Sequence, residues 1–468
     1  MQATAHYSNK RHEYIVCSCM ARTRFLKPSL FISGFLSLDF PENNDYHLPV
    51  LHLITYNRYK FALMHFSNGR YPMNIIKNPE LKGIIGLILV ILVIGGLFAL
   101  STGRLEQWFP GPRITDKIVF VSGRAGANEI YTMNPDGSDQ KQLTKGAKVA
   151  SAPVISPLGN HIAFVVASGG VSQIFSVNGA GESLERLTTA SGAKSVPGYS
   201  PDGNKFAFIA SGRTFVSDIN GENISTVLPT RGEIRASMSS MLERGTVPAY
   251  SNYAWNIDSN SLIGVTRDQA GSDMLVHLPK LDGHAETLIG AMKAPGGGQM
   301  LVYVGTCGGQ PSPMMTIPSG QHARITGIGR AKDKPVFAIS VEAGNAGALL
   351  TFDASTEKLT PVIATPKLIF GKPAVSPDGS SLVVPIKSEN KKIPNCILKL
   401  DLGSRRMQPL VNGDFESASY SPKGDAILAQ TVGEKRDIVS IDPSSGEVKQ
   451  LTSDGNSFDA IWSPVSEK

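Results

Sequence analysis

The chain has 468 residues, of which 41% are hydrophobic, 18% are charged and four are cysteines. That length can bury a substantial core without a disulfide framework, which excludes the small stapled folds. The formal charge of +6 lies almost wholly in residues 1–82, with ten Lys and Arg against five Asp and Glu. The remainder, at 35 against 34, is near neutral and carries no basic stripe for nucleic acid.

Residues 1–72 hold Cys17, Cys19 and five of the nine histidines, but show no repeat, no sustained period and no turn-punctuated strands. They read as an atypical leader, expected to be disordered or to precede a natural start near Met73. Cys17-Ser18-Cys19 with His12 is not read as a metal site, because one intervening residue and no second cysteine pair do not match metal-ligand spacing. Residues 73–82 form a short basic head, read as cytoplasmic. Gly83 to Leu100 (GIIGLILVILVIGGLFAL) is uncharged. At about 1.5 Å per residue it spans most of a hydrocarbon core of about 30 Å, so a transmembrane helix is expected over 83–102. A cleaved signal peptide is the competing reading, with Ala99 and Ser101 as the small-residue pair, although the run exceeds the usual length of about 7–15 residues. Lys77 and Lys82 favour an inside amino terminus, 103–115 reads as a linker, and Trp108 is expected at the membrane interface.

From Asp116 to Lys468 one unit repeats. Ser200-Pro201-Asp202-Gly203 recurs as Ser376-Pro377-Asp378-Gly379, with degraded copies at Ser156-Pro157-Leu158-Gly159 and Ser421-Pro422-Lys423-Gly424. Runs rich in Val, Ile, Phe and Thr follow each copy, bounded by Gly, Pro, Asn and Asp, which predicts four-stranded antiparallel meanders. The tetrapeptide is a turn between first and second strands, and Asn134-Pro135-Asp136-Gly137 and Asn220-Gly221 turn between third and fourth. The turn geometry accounts for these aspartates without calcium, which needs several oxygen ligands in one short stretch.

Closing pairs stand at Leu143-Thr144, Leu187-Thr188, Val227-Leu228, Leu288-Ile289, Ile325-Thr326, Val362-Ile363, Pro409-Leu410 and Leu451-Thr452. Their spacing fits propeller blades of roughly 40 to 50 residues. Eight blades is the simple count, and seven the alternative, with one degenerate unit read as an insertion. Lys117 to Ser122 begins without a preceding first strand and Phe458 to Pro464 is a first strand with nothing after it, so the two are expected to complete one blade. Trp255 and Trp462, at first-strand positions, are expected to fill the wedge between blades.

The combination of Ser-Pro-Asp-Gly, an apolar strand, Ile130 to Met133 (IYTM), Asn-Pro-Asp-Gly and Leu-Thr resembles the WD40-like (PD40) repeats of the TolB-like periplasmic propeller family. The resemblance covers most of 116–468 and implies an all-β propeller outside the cytoplasm. Members with this repeat include binding proteins, peptidase propellers and oligogalacturonate lyase. The extra domain that precedes the propeller in TolB is not recognisable here.

No catalytic, cofactor or metal residues are assigned. Gly-x-Ser-x-Gly, His-Glu-x-x-His, phosphate-loop and dinucleotide patterns are absent. His161, His277, His284 and His322 fall in separate units and are expected on loops or strand surfaces, while Cys307 and Cys396 read as small core residues. The expected function is therefore a membrane-anchored, extracytoplasmic, non-enzymatic scaffold for a protein or cell-envelope partner. The alternative is a polysaccharide-acting, lyase-like enzyme with histidines and acids meeting at the propeller axis.

Overall fold

The computed structural model describes residues 50–56, 59–65 and 111–466, apart from 190–191, 230–248, 282–284, 296, 306–308 and 390–392. Within the leader it describes an antiparallel hairpin, Val50–Tyr56 against Tyr59–His65. No helix among the described residues is long and apolar enough to cross a membrane. The span expected over 83–102, the two leader cysteines and Trp108 lie outside the described residues.

The larger unit is a ring of seven sheets. Blade 1 joins Ser457–Trp462 to Ile118–Ser122, Glu129–Met133 and Lys141–Gln142. Blade 2 comprises Val154–Ile155, His161–Ser168, Val171–Asn178 and Glu185–Arg186. Blade 3 comprises Lys194–Tyr199, Lys205–Ala210, Arg213–Asp218 and Ser225–Leu228. Blade 4 has six strands, Tyr250–Trp255, Leu262–Arg267, Asp273–Leu278, Glu286–Lys293, Gln299–Val304 and Pro311–Ile317. Blade 5 runs through Ala323–Arg330, Val336–Ala343, Ala346–Asp353 and Lys358–Pro366. In blade 6 a broken first strand, Leu368–Phe370 and Ala374–Val375, precedes Ser381–Ser388, Cys396–Asp401 and Met407–Asn412. Blade 7 is Phe415–Tyr420, Ile427–Thr431, Ile438–Ile441 and Val448–Gln450.

Eight blades is thus corrected to seven. Ile325-Thr326 does not close a unit but lies inside the first strand of blade 5. The strands on either side of 306–308 extend the outer edge of blade 4, pairing in the order Glu286–Lys293, Gln299–Val304, Pro311–Ile317. Leu301 and Ile317 bury their side chains with Phe337 and Phe352 of blade 5, so the addition is a clasp between two blades. Nothing in strand composition separates an added edge strand from a new blade. The pairing of Gln299–Val304 with the fourth strand of blade 4 is what distinguishes them.

Ring closure occurs as expected from the two chain ends. Ser457–Trp462 pairs antiparallel with Ile118–Ser122, with Ile118 opposite Trp462 and Ser122 opposite Ser457. Second strands are covered by the adjacent blades on both faces, so Ile118–Ser122 is buried throughout, whereas the outermost Val448–Gln450 is exposed throughout. Chain before Asp116, read as linker, already packs: Ile114 is buried and its N–H donates to the Gly159 carbonyl at 2.7 Å.

The repeated motifs have defined mechanics. Asp202 Oδ1 accepts from the Ser200 hydroxyl at 2.6 Å and from the Asn204 N–H at 3.1 Å, while Gly203 takes φ 72°. Asp378 repeats this with Ser376 and Ser380, around Gly379 at φ 72°. The closing Leu-Thr is a staple. Ile130 N–H donates to Thr144 Oγ1 at 2.9 Å, the Thr144 hydroxyl donates to Glu129 Oε2 at 2.6 Å, and that carboxylate also accepts the Ala147 N–H at 3.2 Å. Ile438, Thr452, Asp437 and the Gly455 N–H repeat the arrangement in blade 7, and Ile174, Thr188 and Gln173 repeat its side-chain half in blade 2. Each closing threonine therefore fixes its fourth strand to its third, and the acids of blades 1 and 7 also hold the chain leaving for the next blade.

Both tryptophans reach back to the preceding blade. Trp255 is buried and its Nε1 donates to the Gly198 carbonyl at 3.3 Å, and Trp462, half-buried, donates to Ser419 at 3.4 Å. Trp255→Ala is expected to cost about 3–5 kcal/mol, measured by urea unfolding. A loss below about 1 kcal/mol would show that the wedge collapses around the gap. Thr452→Val keeps the side-chain shape but strips the Ile438 N–H of its acceptor and Asp437 of a donor. The expected loss is about 1–3 kcal/mol, with Thr452→Ser recovering most of it.

Candidate functional site

Every first strand carries at least one residue more than its neighbour opposes. In blade 1 Asp459 and Ala460 face a single residue between Val119 and Val121, and blade 3 bulges at Val196 and Pro197. Blades 4, 5 and 7 bulge at Ser251, Thr326 and Glu416. Blade 6 breaks at Gly371-Lys372-Pro373, and in blade 2 residues 150–153 span the gap between the Val149 bridge and Val154. A bulge bends the strand and re-aims its side chain. These bulges sit on the strands that successive blades bring together at the ring's centre. Charge is confined to one arc: Lys372 in blade 6, Glu416 in blade 7 and Asp459 in blade 1, while blades 2 to 5 place only Ala, Ser, Pro, Val and Thr there.

Three observations bring the charged residues together. Asp459 feels both Glu416 and Lys372, the latter from a blade that is not its neighbour. Gln430, buried in blade 7, accepts the Asp459 N–H through Oε1 at 2.7 Å and donates through Nε2 to the Glu416 carboxylate. Arg436 lies over the Phe458 ring at 3.8 Å and acts on Asp459. Beside this cluster a cleft of about 470 Å³ is lined by Thr326, Glu342, Phe370, Phe415, Glu416 and Arg436, among others. Its walls come from first-strand bulges and from the connections between second and third strands. The alternation of an antiparallel meander puts these at the end of the ring opposite the Ser-Pro-Asp-Gly turns.

Electrostatics at this mouth are set by enclosure. Burial pushes the Asp459 carboxyl above its ordinary range, and Glu416 pushes it further, against Arg436 and Lys372. Burial likewise raises Glu342, with Arg324 and Lys387 opposing. Lys372 is solvent-accessible, yet the ring around it still desolvates its ammonium and lowers its pKa, with Asp459 opposing.

The histidines do not join this cluster. His161 is half-buried at the start of a second strand in blade 2, and His322 is exposed beside Gly271. His277, expected on a surface, is instead buried in the third strand of blade 4, with its ring edge-on to Phe352 of blade 5 at 5.0 Å. His284 and Cys307 lie outside the described residues. Cys396 is buried among core side chains, and burial raises its thiol pKa. Among the described residues no three His, Cys, Asp or Glu side chains are grouped to hold a metal ion.

The repeats, the closed ring and the sequence matches agree. Residues 107–246 match the family model described as PD40, TolB beta propeller domain. Over 52 residues the chain is 48% identical to the Tol-Pal system protein TolB of Geobacter metallireducens. The propeller is TolB-like. That match spans 11% of this chain and 12% of the relative's length. Among solved structures, TolB from Acinetobacter baumannii is similar at 12% identity and a TM-score of 0.44, over 90% of this chain and 81% of that one. The oligogalacturonate lyase of Vibrio parahaemolyticus is similar at 13% identity and a TM-score of 0.37, over 72% and 100%.

Sequence reasoning missed Glu342, Lys372, Glu416, Arg436 and Asp459. Only Gly371-Lys372-Pro373 carried a signal, as a strand-breaking tripeptide ahead of the Ser-Pro-Asp-Gly turn.

Asp459 allows a signed test. A carboxyl with a higher pKa in the folded than in the unfolded state costs stability when ionised. The cost is absent below the unfolded value, about 3.9, and fully present above the folded one. Asn removes the charge and tolerates the φ of 52° found there. Asp459→Asn is expected to match or exceed the wild type in urea midpoint at pH 7, with the advantage disappearing toward pH 4. A pH-independent loss of stability would contradict a desolvated charge at this position.

Proposed function

We propose that the chain is a binding module of the cell envelope, without chemistry of its own on its partner, that captures a protein at the axial mouth. The observation that carries this reading is the mouth itself: a cleft combining an aromatic wall, Phe415 and the ring edge of the core residue Phe370, with Glu342, Glu416 and Arg436. Apolar area gives affinity there, and fixed charges give register. The likeness to TolB supports an extracytoplasmic setting. A polysaccharide-cleaving site built on converging histidines is not favoured, since the three described histidines stand in different blades away from the cleft.

Affinity capture with the tagged full-length chain from detergent-solubilised cells identifies the partner. Glu416→Arg and Phe415→Ala are then each expected to weaken it at least about tenfold, or about 1.4 kcal/mol. Lys358→Ala, at the opposite end of the ring, is expected to leave it unchanged. Equal losses from all three, or none from the mouth variants, would move the binding surface elsewhere.

The setting proposed for the module is single-pass attachment through 83–102, with the propeller outside. The protein is expected to stay in the membrane pellet through a carbonate wash. Leu92→Arg combined with Val93→Arg is expected to abolish insertion, since each charge at mid-helix costs about 2.5–3.5 kcal/mol. A soluble species beginning near Thr102 would replace the anchor with a cleaved signal peptide.

A further inference from the structure

Independent of the protein-partner reading, the outer strands of blade 4 carry a methionine cluster that the mouth does not use. We propose that Met274, Met292 and Met300 form a binding site for a soft monovalent metal ion, copper(I), held by three thioether sulfurs on the face of blade 4 turned toward blade 3.

Strand alternation places the three side chains on one face. Leu275 and Leu301 are buried with Phe337 and Phe352 of blade 5, and Ala291 packs on the same cluster. Met274, Met292 and Met300 are the chain neighbours of these residues within the third, fourth and fifth strands, so all three project from the opposite face. Met314 and Met315 differ, since they pack on that core and are accounted for by it. On the methionine face, Val276 and Leu278 are sealed in a core shared with Val227 and Leu228 of blade 3. The methionines lie past that cover: Met274 and Met300 are half-buried, and Met292 is 48% exposed.

Register then brings them within reach of one ion. Met292 and Met300 are direct cross-strand partners, which sets their Cβ atoms about 4.5–5.5 Å apart. Met274 stands on the other side of the fourth strand, one step past the Leu275 and Ile289 pair and therefore opposite Gly290. Its Cγ is 3.9 Å from where a Gly290 Cβ would be, so the missing side chain leaves the path from Met274 toward Met292 open. Such a diagonal of about 7–8 Å is within the span of long side chains. Three rotatable bonds let each methionine turn its polarisable sulfur to a common point. Met300 belongs to the fifth strand, so the hairpin added to blade 4 supplies one of the three ligands.

Donor chemistry selects the ion. Thioethers are neutral and soft, which suits copper(I) and not zinc or the hard cations. They carry no proton, so binding releases none and persists at a pH where a histidine site would be lost. The ion binds in the +1 state by coordination alone, with no oxidant or reductant.

The test titrates the full-length protein anaerobically with copper(I) in competition with bicinchoninate. One ion per chain is expected to be held equally at about pH 5.5 and 7.5, to be displaced by silver(I) and not by zinc(II), and to remain in Cys17→Ser combined with Cys19→Ser. Met292→Leu and Met300→Leu conserve volume and so preserve the fold. Each is expected to weaken binding at least about tenfold. Met407→Leu, which alters an exposed methionine of blade 6, is expected to leave binding unchanged. Silver(I) titration of the wild type with isotope-labelled methionine methyl groups gives a reading that needs no variant. The methyl resonances of Met274, Met292 and Met300 should shift together while those of the other methionines stay. Loss of the ion with the two leader cysteines, full affinity in both methionine variants, or a response spread over all the methyl groups would overturn the proposal.

Discussion

The structure depends on one pairing, that of Ser457–Trp462 with Ile118–Ser122. Without it the seventh interface of the ring is absent, and two first-rank core strands present unpaired backbone to water. The closure is reinforced by side chains from both ends of the chain. Arg124 bonds Asp454 at 2.8 Å and Ser457 at 2.9 Å, and lies over Phe120 and Tyr131. Asp459, whose charge acts on Lys372, belongs to this last strand. The Asp459 end of the charged arc is therefore put in place only when the ring closes.

The site follows from a geometric conflict common to all seven blades. A first strand must pair with its own second strand and also pass close to the first strands of its neighbours. An extra residue in each relieves the conflict by bending the strand, and the residue left over is freed from the ladder's alternation. Its identity is then open to function. Ser251 and Val196 leave one side of the ring neutral, whereas Lys372, Glu416 and Asp459 charge the other. The mouth thus presents a surface with a defined orientation despite the near-symmetry of the fold.

The fold was legible because its signals are local. Ser200-Pro201-Asp202-Gly203 is a turn wherever it occurs, and the lone strand halves at Lys117 and Phe458 implied closure. Blade number was misread at Ile325-Thr326, since an added edge strand in blade 4 has the composition of any other strand and its destination is set by packing against Phe337 and Phe352. His277 was misplaced because its burial comes from packing on Phe352 of the next blade, a contact between blades that composition does not show. The mouth was illegible because its members are separated by up to 117 positions, from Glu342 to Asp459, and each is an ordinary residue in its own unit. What relates Lys372, Glu416 and Asp459 is the position of the bulge, which depends on register, while Glu342 and Arg436 join them from a second strand and from a connection between second and third strands.

The two ends of the ring divide the labour. At the turn end carboxylates are committed to the backbone: Ser376 and Ser380 hold the Asp378 carboxyl down to about 2, and Ser444 and Ser445 hold Asp442 well below the usual range. An acid whose oxygens already accept hydroxyl and N–H donors has little left for a cation or a substrate, and its ionised form is what keeps the turn. At the mouth the shifts run the other way, with Asp459 and Glu342 raised by enclosure and Lys372 lowered. Charges that the fold penalises rather than uses are those a ligand can relieve. The sign of the pKa displacement therefore separates the carboxylates committed to the turns from those enclosed at the mouth.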